Sequence, residues 1–109
     1  MHEVGITQEI VAIASERAGT AKVSRVVVEI GRLTAVLPDA VRFCFDLVAE
    51  GTPLEGAVLD IVEIEGRGRC LACLSEMILE QPFGRCTCGA TEFEWLAGEE
   101  LRIREMEVR

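Results

Sequence analysis

Hydrophobic residues recur at helical spacing near the start of the chain. In residues 5–19, apolar side chains stand three or four positions apart, with polar residues between them. This period predicts an amphipathic helix, because residues at such spacing share one helical face. The predicted buried face carries Ile6, Ile10, Ile13 and Ala14, and Gly19 is a suitable C-terminal stop.

The same spacing returns in residues 37–51 and predicts a second helix. Pro38 suits a first helical turn, and Asp39 places a favourable negative charge there. Gly51 follows as the stop. The predicted core-facing stripe consists of Val41, Cys44, Phe45 and Val48.

Three segments, residues 22–31, 57–66 and 100–109, have the composition of short strands. In the last one, Leu101 and Ile103 alternate regularly, whereas Met106 and Val108 fall on the opposite parity. A strand with strict period two cannot bury both pairs on one face. We therefore predict a bulge, or a change of packing environment, near Arg104 and Glu105.

Between the last two predicted strands lies a segment with four of the five cysteines. Cys70 and Cys73 form C-x2-C, Cys86 and Cys88 form C-x-C, and twelve residues separate the pairs. This spacing predicts a tetrahedral four-thiolate zinc site, because each short loop presents two thiolates to one ion. Structural zinc contributes on the order of 10 kcal/mol to folding of such small modules.

Other uses of these cysteines stay open at this level, namely disulfides, a redox pair or an iron–sulfur cluster. The C-x-C pair is one residue shorter than the usual zinc-binding loop. We expect it to lose or rearrange some of the backbone N–H groups that normally point at the sulfurs. The fifth cysteine, Cys44, is expected to be a small buried hydrophobic residue.

This organisation predicts an α+β fold with a small mixed sheet, two helices and an inserted zinc-ribbon-like lobe. The α+β domain comprises residues 1–65, the lobe residues 66–98, and the returning final strand residues 99–109. We expect the strands before and after the insert to pair as neighbours in one sheet.

Composition narrows the classes of function. The net charge of −8 argues against nucleic-acid binding, which depends on clustered Lys and Arg. No apolar run approaches the roughly 20 residues of a membrane span, and we see no signal peptide. A reducing cytoplasm is therefore expected, where paired cysteines are more often metal ligands than disulfides.

The single histidine stands at position 2. The α-amino group, with an unperturbed pKa of roughly 7.7–8.0, can deprotonate for a metal. The Met1 amine and the His2 amide nitrogen close a five-membered chelate ring, and that amide and the imidazole Nδ1 close a six-membered ring. Planar nitrogen donors suit Ni(II) or Cu(II). The remaining corner is open to the Glu3 amide, the Glu3 carboxylate or a group from elsewhere, with Asp39 a candidate on chemistry alone.

Several stretches together resemble the HypA/HybF family of nickel-incorporation metallochaperones for [NiFe]-hydrogenase maturation. They are the start "MHE", the strand "RVVVEIGRL", the helix "RFCFDLVAEGT", the paired cysteines, the "CG" that closes them and the ending "GEELRIREMEV". The resemblance runs over essentially the full chain, in order.

The resemblance implies a nickel-binding α+β domain with a zinc lobe inserted before its last strand. It implies His2 as principal Ni(II) ligand, with the Met1 amine and the backbone around Glu3. It also implies structural Zn(II) on the four cysteines. The implied partners are the GTPase of nickel insertion and the hydrogenase large-subunit precursor; some members also serve urease. The chain departs from the family in its C-x-C pair, where members commonly have C-x2-C.

Two other functions compete with this one. A zinc ribbon on an α+β domain could be a protein–protein adaptor without metal delivery. Cys70 and Cys73, near Arg67 and Arg69, could form a thiol oxidoreductase, although no βαβ pattern surrounds them. No second histidine, nucleophile elbow or phosphate-binding glycine loop supports an enzyme. The sequence leaves the oligomeric state open.

Overall fold

The computed structural model describes residues 2–109. Its elements are α1 (His2–Ala18), β1 (Val23–Gly31), α2 (Pro38–Ala49), β2 (Val58–Ile64), β3 (Gly66–Cys70), β4 (Glu76–Leu79), β5 (Phe93–Ala97) and β6 (Leu101–Val108). The strands form two three-stranded sheets, ordered β2-β1-β6 and β4-β3-β5. The predicted α+β class is confirmed. Within the described part of the chain, neither helix is long and apolar enough to cross a bilayer.

The first sheet is mixed, with β1 in its centre. Backbone hydrogen bonds give the directions of pairing. On the β2 side, the N–H groups of Val23 and Arg32 donate to the carbonyls of Pro53 and Ile64. On the β6 side, the N–H of Gly31 donates to Glu100 and the N–H of Arg109 donates to Lys22. Thus β2 runs parallel to β1, and β6 runs antiparallel to it. The expectation that the strands flanking the insert are neighbours is wrong, since β1 lies between them. β1 is the most buried strand of the sheet, as expected for the central position.

The chain divides into two compact units. The first comprises residues 2–29, Val36–Val62 and Arg102–Arg109, and so contains both helices. The second comprises Ile30–Ala35 and Glu63–Leu101, and contains the four paired cysteines with β3, β4 and β5.

Helix α1 forms as predicted, but its buried face differs. Thr7, Ile10, Val11 and Ala14 are buried, whereas Ile13 is 43% exposed. The buried face is therefore centred on Thr7, Val11 and Ala14, and Ile13 lies at its margin. Thr7 is accommodated in the core because its hydroxyl donates to the carbonyl of Glu3 at 2.6 Å.

Helix α2 buries Val41, Phe45 and Ala49, which stand four residues apart. Cys44 and Val48 are only half-buried. The expectation of a buried Cys44 is thus wrong in degree. The row at positions 41, 45 and 49 faces the core, and the neighbouring row at 44 and 48 lies at the border of that contact.

Charged side chains of β6 form ion pairs with β1 along the strand pair. Arg102 and Arg104 both bind the carboxylate of Glu29 on β1, with Nε to oxygen distances of 2.6 and 3.7 Å. Glu107 binds Arg25 at 2.9 Å. Arg25 and Glu29 share one face of β1, being four residues apart. Backbone hydrogen bonds pair β6 with β1 in the same register at both ends, Gly31 with Glu100 and Arg109 with Lys22, so they give no sign of the predicted bulge. Ile103 and Met106 are the half-buried residues of β6 and have opposite parity, which fits the predicted change of packing environment.

The second sheet is antiparallel and consists of strands that the sequence did not resolve individually. Its central strand, β3, pairs Gly68 with Met77 of β4 and with Trp95 of β5. A side chain at Gly68 would meet Leu79 Cδ1 at 2.6 Å, which explains the glycine there. On the other face, Arg67, Arg69, Glu76 and Glu94 form a chain of ion pairs.

Candidate metal centres

The four paired cysteines converge in the second unit. Cys70 ends β3, Cys73 lies in the turn that follows, and Cys86 and Cys88 lie in the loop between β4 and β5. Their sulfur atoms all lie within 4.8 Å of one another. The structure therefore brings together every cysteine that the spacing singled out, and Cys44 is not among them.

The sulfur distances distinguish between the uses of this cluster. Sγ of Cys70 lies 3.6 Å from Sγ of Cys88, and Sγ of Cys73 lies 3.5 Å from Sγ of Cys86. A disulfide would require about 2.05 Å. Tetrahedral zinc with Zn–S distances of about 2.3 Å places its sulfurs about 3.8 Å apart. The cluster therefore has the size and the donor set of a tetrahedral thiolate metal site.

Backbone amides favour the thiolate form on the C-x2-C side. The N–H groups of Cys73 and Ala72 hydrogen-bond Sγ of Cys70 and lower the pKa of that thiol. Ser75 acts on Cys73 through its hydroxyl, 3.3 Å from Sγ, and through its N–H. Together with the nearby Cys86, these donors lower the pKa of the Cys73 thiol to about 6.

The C-x-C side behaves differently. The N–H of Ala90 favours the Cys88 thiolate, but the neighbouring sulfurs of Cys70 and Cys86 oppose it and raise the pKa of Cys88 to about 11. Close thiols cannot all ionise without a cation between them, because like charges repel. The arrangement thus favours thiolates on the C-x2-C side of the metal-free cluster and needs a cation to hold all four.

The two loops turn with different residues. Leu74, which follows the C-x2-C pair, has φ of +64°, and its N–H bonds the carbonyl of Cys70. Gly89, which follows the C-x-C pair, has φ of +95°, and its N–H bonds the carbonyl of Cys86. Left-handed backbone suits glycine and strains leucine. The first loop therefore stores strain that the second avoids.

His2 and Glu3 lie together at the start of α1, in the first unit. Nε2 of His2 is 3.1 Å from Oε2 of Glu3, and the imidazole is 62% exposed. The same carboxylate oxygen accepts a hydrogen bond from the N–H of Leu37 at 3.3 Å. An Nε2–H held by the carboxylate leaves Nδ1 with its lone pair. Nδ1 is the nitrogen that the predicted chelate ring requires.

Two further residues were predicted for the nickel site, Met1 and Asp39. Met1 lies outside the described residues. Asp39 is bound by Arg42, with Nη1 2.6 Å from Oδ1, so its carboxylate already has a cationic partner.

Sequence reasoning missed two residues at these centres. Leu37 touches Glu3 from a distant part of the chain, and no local pattern indicates that contact. Ser75 lies two residues after Cys73, where a hydroxyl near a thiolate is a readable signal.

Comparison with known proteins agrees with this architecture. A sequence profile of the family "Hydrogenase/urease nickel incorporation, metallochaperone, hypA" matches residues 1–108. The chain is 56% identical over 108 residues to hydrogenase maturation factor HypA of Nostoc punctiforme, covering 99% of this chain and 96% of that protein. It is 45% identical over 109 residues to the HypA of Geobacter metallireducens, covering 99% of each.

The fold resembles a solved structure as well. The solution structure of the Ni metallochaperone HypA from Helicobacter pylori superposes with a TM-score of 0.70 at 27% sequence identity. The match covers 99% of this chain and 97% of that one. With a family profile and full-length relatives in agreement, the chain belongs to the HypA family of nickel metallochaperones for hydrogenase maturation.

Proposed function

We propose that this protein binds Ni(II) at its N-terminus and delivers it for maturation of [NiFe]-hydrogenase. The observation that supports this most strongly is the contact between Nε2 of His2 and the carboxylate of Glu3. It holds the imidazole in the tautomer whose Nδ1 is available to the ion. The nickel ion is cargo, and the proposed ligands are His2 Nδ1, the His2 amide nitrogen and the Met1 amine, beside Glu3.

The position of His2 in α1 favours the amide as a ligand. The first amides of a helix have no carbonyl partner within the helix. Deprotonating the His2 amide therefore breaks no helical hydrogen bond, and the positive end of the helix dipole stabilises the negative charge that results. The fourth corner of the square is left to a donor that an accepting protein can supply or displace.

We further propose that Cys70, Cys73, Cys86 and Cys88 hold structural Zn(II), in an inserted lobe of residues 66–98. The sulfur separations and the donor set support zinc over a disulfide. The zinc would close both short loops and the long loop between them. It would thereby stabilise a unit whose strands are only four and five residues long.

The proposed partners are the GTPase of nickel insertion and the precursor of the hydrogenase large subunit, in the cytoplasm. Urease is a second proposed recipient, which the name of the matching family profile supports. The protein's role is transfer of an ion and not catalysis of a reaction.

A nickel titration tests the proposal against the adaptor alternative. Wild type is compared with His2→Ala and with a variant that carries one Gly ahead of Met1. The extension keeps the imidazole and moves the amine out of its chelate ring. Loss of Ni(II) affinity and of the yellow square-planar absorption band in both variants is expected. Equal affinity in all three proteins would remove the proposed site and favour an adaptor.

Metal analysis of the protein purified without added metal tests the lobe. About one zinc per chain, with thiols protected from alkylation, is expected. A metal-free protein with reactive Cys70 and Cys73 would favour the thiol oxidoreductase instead.

A further inference from the structure

Helix α2 carries an apolar ridge that is not part of the core. Phe43 is 88% exposed and Leu47 is 72% exposed. The two residues stand one helical turn apart, so their side chains are neighbours on the helix surface. The half-buried Cys44 and Val48 form the next row around the helix, between this ridge and the core-facing row.

Single exposed apolar side chains are ordinary on protein surfaces, but this group is larger. A phenylalanine alone offers on the order of 150–200 Å² of contact area. With Leu47 and the partly exposed Cys44 and Val48, the ridge reaches on the order of 300 Å², about the size of the largest apolar patch on a typical monomer, which is often functional. An unsatisfied surface of this kind is stabilised by covering it with another apolar surface.

The charges beside the ridge indicate what covers it. Asp46 and Glu50 stand three residues after Phe43 and Leu47, in the row that flanks the ridge on the side opposite Cys44 and Val48. Both are exposed, and neither has an ion-pair partner within residues 2–109. Asp39, by contrast, is paired with Arg42. The ridge is thus bordered by two uncompensated carboxylates, one turn apart.

We propose that this face of α2 is the docking site for a basic amphipathic helix of a partner protein. The partner's apolar stripe covers Phe43 and Leu47, and its Lys or Arg side chains pair with Asp46 and Glu50. A second copy of this chain would instead bring two acidic rows together, which costs free energy. Helix-in-groove docking by apolar anchors with flanking charges is a recurrent mode of recognition.

The place of this face suggests which partner uses it. The N–H of Leu37, just before α2, is held by Glu3, which also contacts His2. Phe43 lies six residues further on, which is about 9 Å along the helix axis. A helix docked there would stand near the proposed nickel site. We therefore assign the face to the protein that exchanges nickel with this chain, an assignment that rests on the proposed function.

The test uses a fluorescent synthetic peptide of about five helical turns, with leucines at positions i, i+3, i+4 and i+7 and lysines beside them. A second peptide carries glutamates in place of the lysines. Wild type is expected to bind the lysine peptide with amide shift changes concentrated in residues 38–50. Phe43→Ser with Leu47→Ser should weaken that binding by about tenfold or more. The matched control is Val58→Ser, which removes a 55% exposed apolar side chain from β2.

A second variant, Asp46→Lys with Glu50→Lys, reverses both charges beside the ridge and tests their role in binding. It should weaken the lysine peptide and strengthen the glutamate peptide. Equal binding by wild type and the Phe43→Ser, Leu47→Ser variant, or shift changes scattered outside α2, would overturn the proposal. So would a concentration-dependent dimer of wild type that the same variant abolishes, because it would make a second copy the occupant.

Nickel titration of the same variants separates this proposal from the nickel-delivery proposal. The Phe43→Ser, Leu47→Ser variant should keep the wild-type Ni(II) affinity, since neither residue touches His2 or Glu3. If the peptide does not bind as expected, the measured Ni(II) affinity still tests the nickel-delivery proposal. If wild type does not bind Ni(II), the peptide measurements still test the docking site.

Discussion

The carboxylate of Glu3 joins the first turn of α1 to the residue that precedes α2, by accepting a hydrogen bond from the N–H of Leu37. Leu37 supplies no side-chain cap to α2 itself. Glu3 therefore acts as a cap from another element, and its charge lies at the positive end of α2. Its own backbone N–H, then the Leu37 N–H and the nearby His2, lower the pKa of the Glu3 carboxyl below its ordinary value of 4.5.

This relationship predicts a pH-dependent contribution to stability. A carboxylate with a depressed folded-state pKa stabilises the fold above its unfolded pKa, and the effect is lost as pH falls through the folded value. Wild type should thus melt at a higher temperature than Glu3→Gln at neutral pH. The difference should shrink below about pH 4.5. Circular dichroism melts across this range measure it.

The control for this prediction is Glu9→Gln, which neutralises an exposed carboxylate of α1. Taking the difference between each variant and wild type removes effects of acid on the cysteine cluster, because both variants share them. A gap between wild type and Glu3→Gln that is equally large at pH 3 would contradict the role assigned to the carboxylate.

Substitution by alanine should have opposite effects on stability at two glycines, Gly5 and Gly98. A side chain at Gly5 in α1 meets nothing within 4 Å, so Gly5→Ala should stabilise the first unit by about 0.5–1 kcal/mol through helix propensity. Gly98 has φ of +113°, and a Cβ there would lie 2.7 Å from Gly66 Cα and 2.8 Å from Leu33 Cγ. Gly98→Ala should therefore destabilise the second unit by about 2 kcal/mol or more.

Separate probes report the two glycine effects. Far-UV circular dichroism follows the helices of the first unit, and fluorescence of Trp95, the only tryptophan, follows the second. In urea unfolding, Gly5→Ala should raise the midpoint of the circular dichroism signal above that of wild type. Gly98→Ala should lower the midpoint of the fluorescence signal. A Gly98→Ala protein with an unchanged fluorescence transition would show that the close approach at Gly98 is relieved at little cost.

The strain at Leu74 predicts tighter metal binding when it is removed. Leu74→Gly places a residue that tolerates positive φ in the first cysteine loop, and should stabilise the loop by about 0.5–1 kcal/mol. Zinc affinity, measured by competition with a chelator, should rise about two- to fivefold. Leu71→Gly is the control, because Leu71 is similarly exposed but does not have positive φ. It should leave the affinity unchanged or lower it.

The cysteine environments predict an order of thiol reactivity in the metal-free protein. Cys73, exposed and with its pKa lowered to about 6, should alkylate first, and Cys88, with its pKa raised to about 11, should alkylate last. Ser75→Ala removes the hydroxyl that favours the Cys73 thiolate, so the midpoint pH of Cys73 alkylation should rise. Peptide mass spectrometry after timed alkylation measures both effects.

Cys44 is the internal reference for these rates, since it stands outside the cluster. Adding back zinc should protect the four clustered thiols and leave the rate of Cys44 unchanged. An unaltered pH midpoint in Ser75→Ala would contradict the role assigned to the Ser75 hydroxyl.

Much of this molecule follows from local spacing along the chain. Periodicity of apolar residues was sufficient to locate both helices and the three strands of the first sheet, because each element repeats its side-chain direction at a fixed interval. The cysteine pairs were readable for the same reason, since two thiolates on a short loop reach one ion without help from distant residues. The opposite parity of Ile103 and Met106, the half-buried residues of β6, was readable from the spacing as well.

Tertiary structure decided what periodicity leaves undetermined. In α2, apolar residues cover far more than one face, and only packing determines that Phe45 is buried while Phe43 is exposed. The order β2-β1-β6 and the contact of Glu3 with Leu37 likewise depend on neighbours far apart in sequence. A repeat within one element specifies which residues share a face. Which face becomes the interior depends on what packs against it, and that is a property of the whole fold.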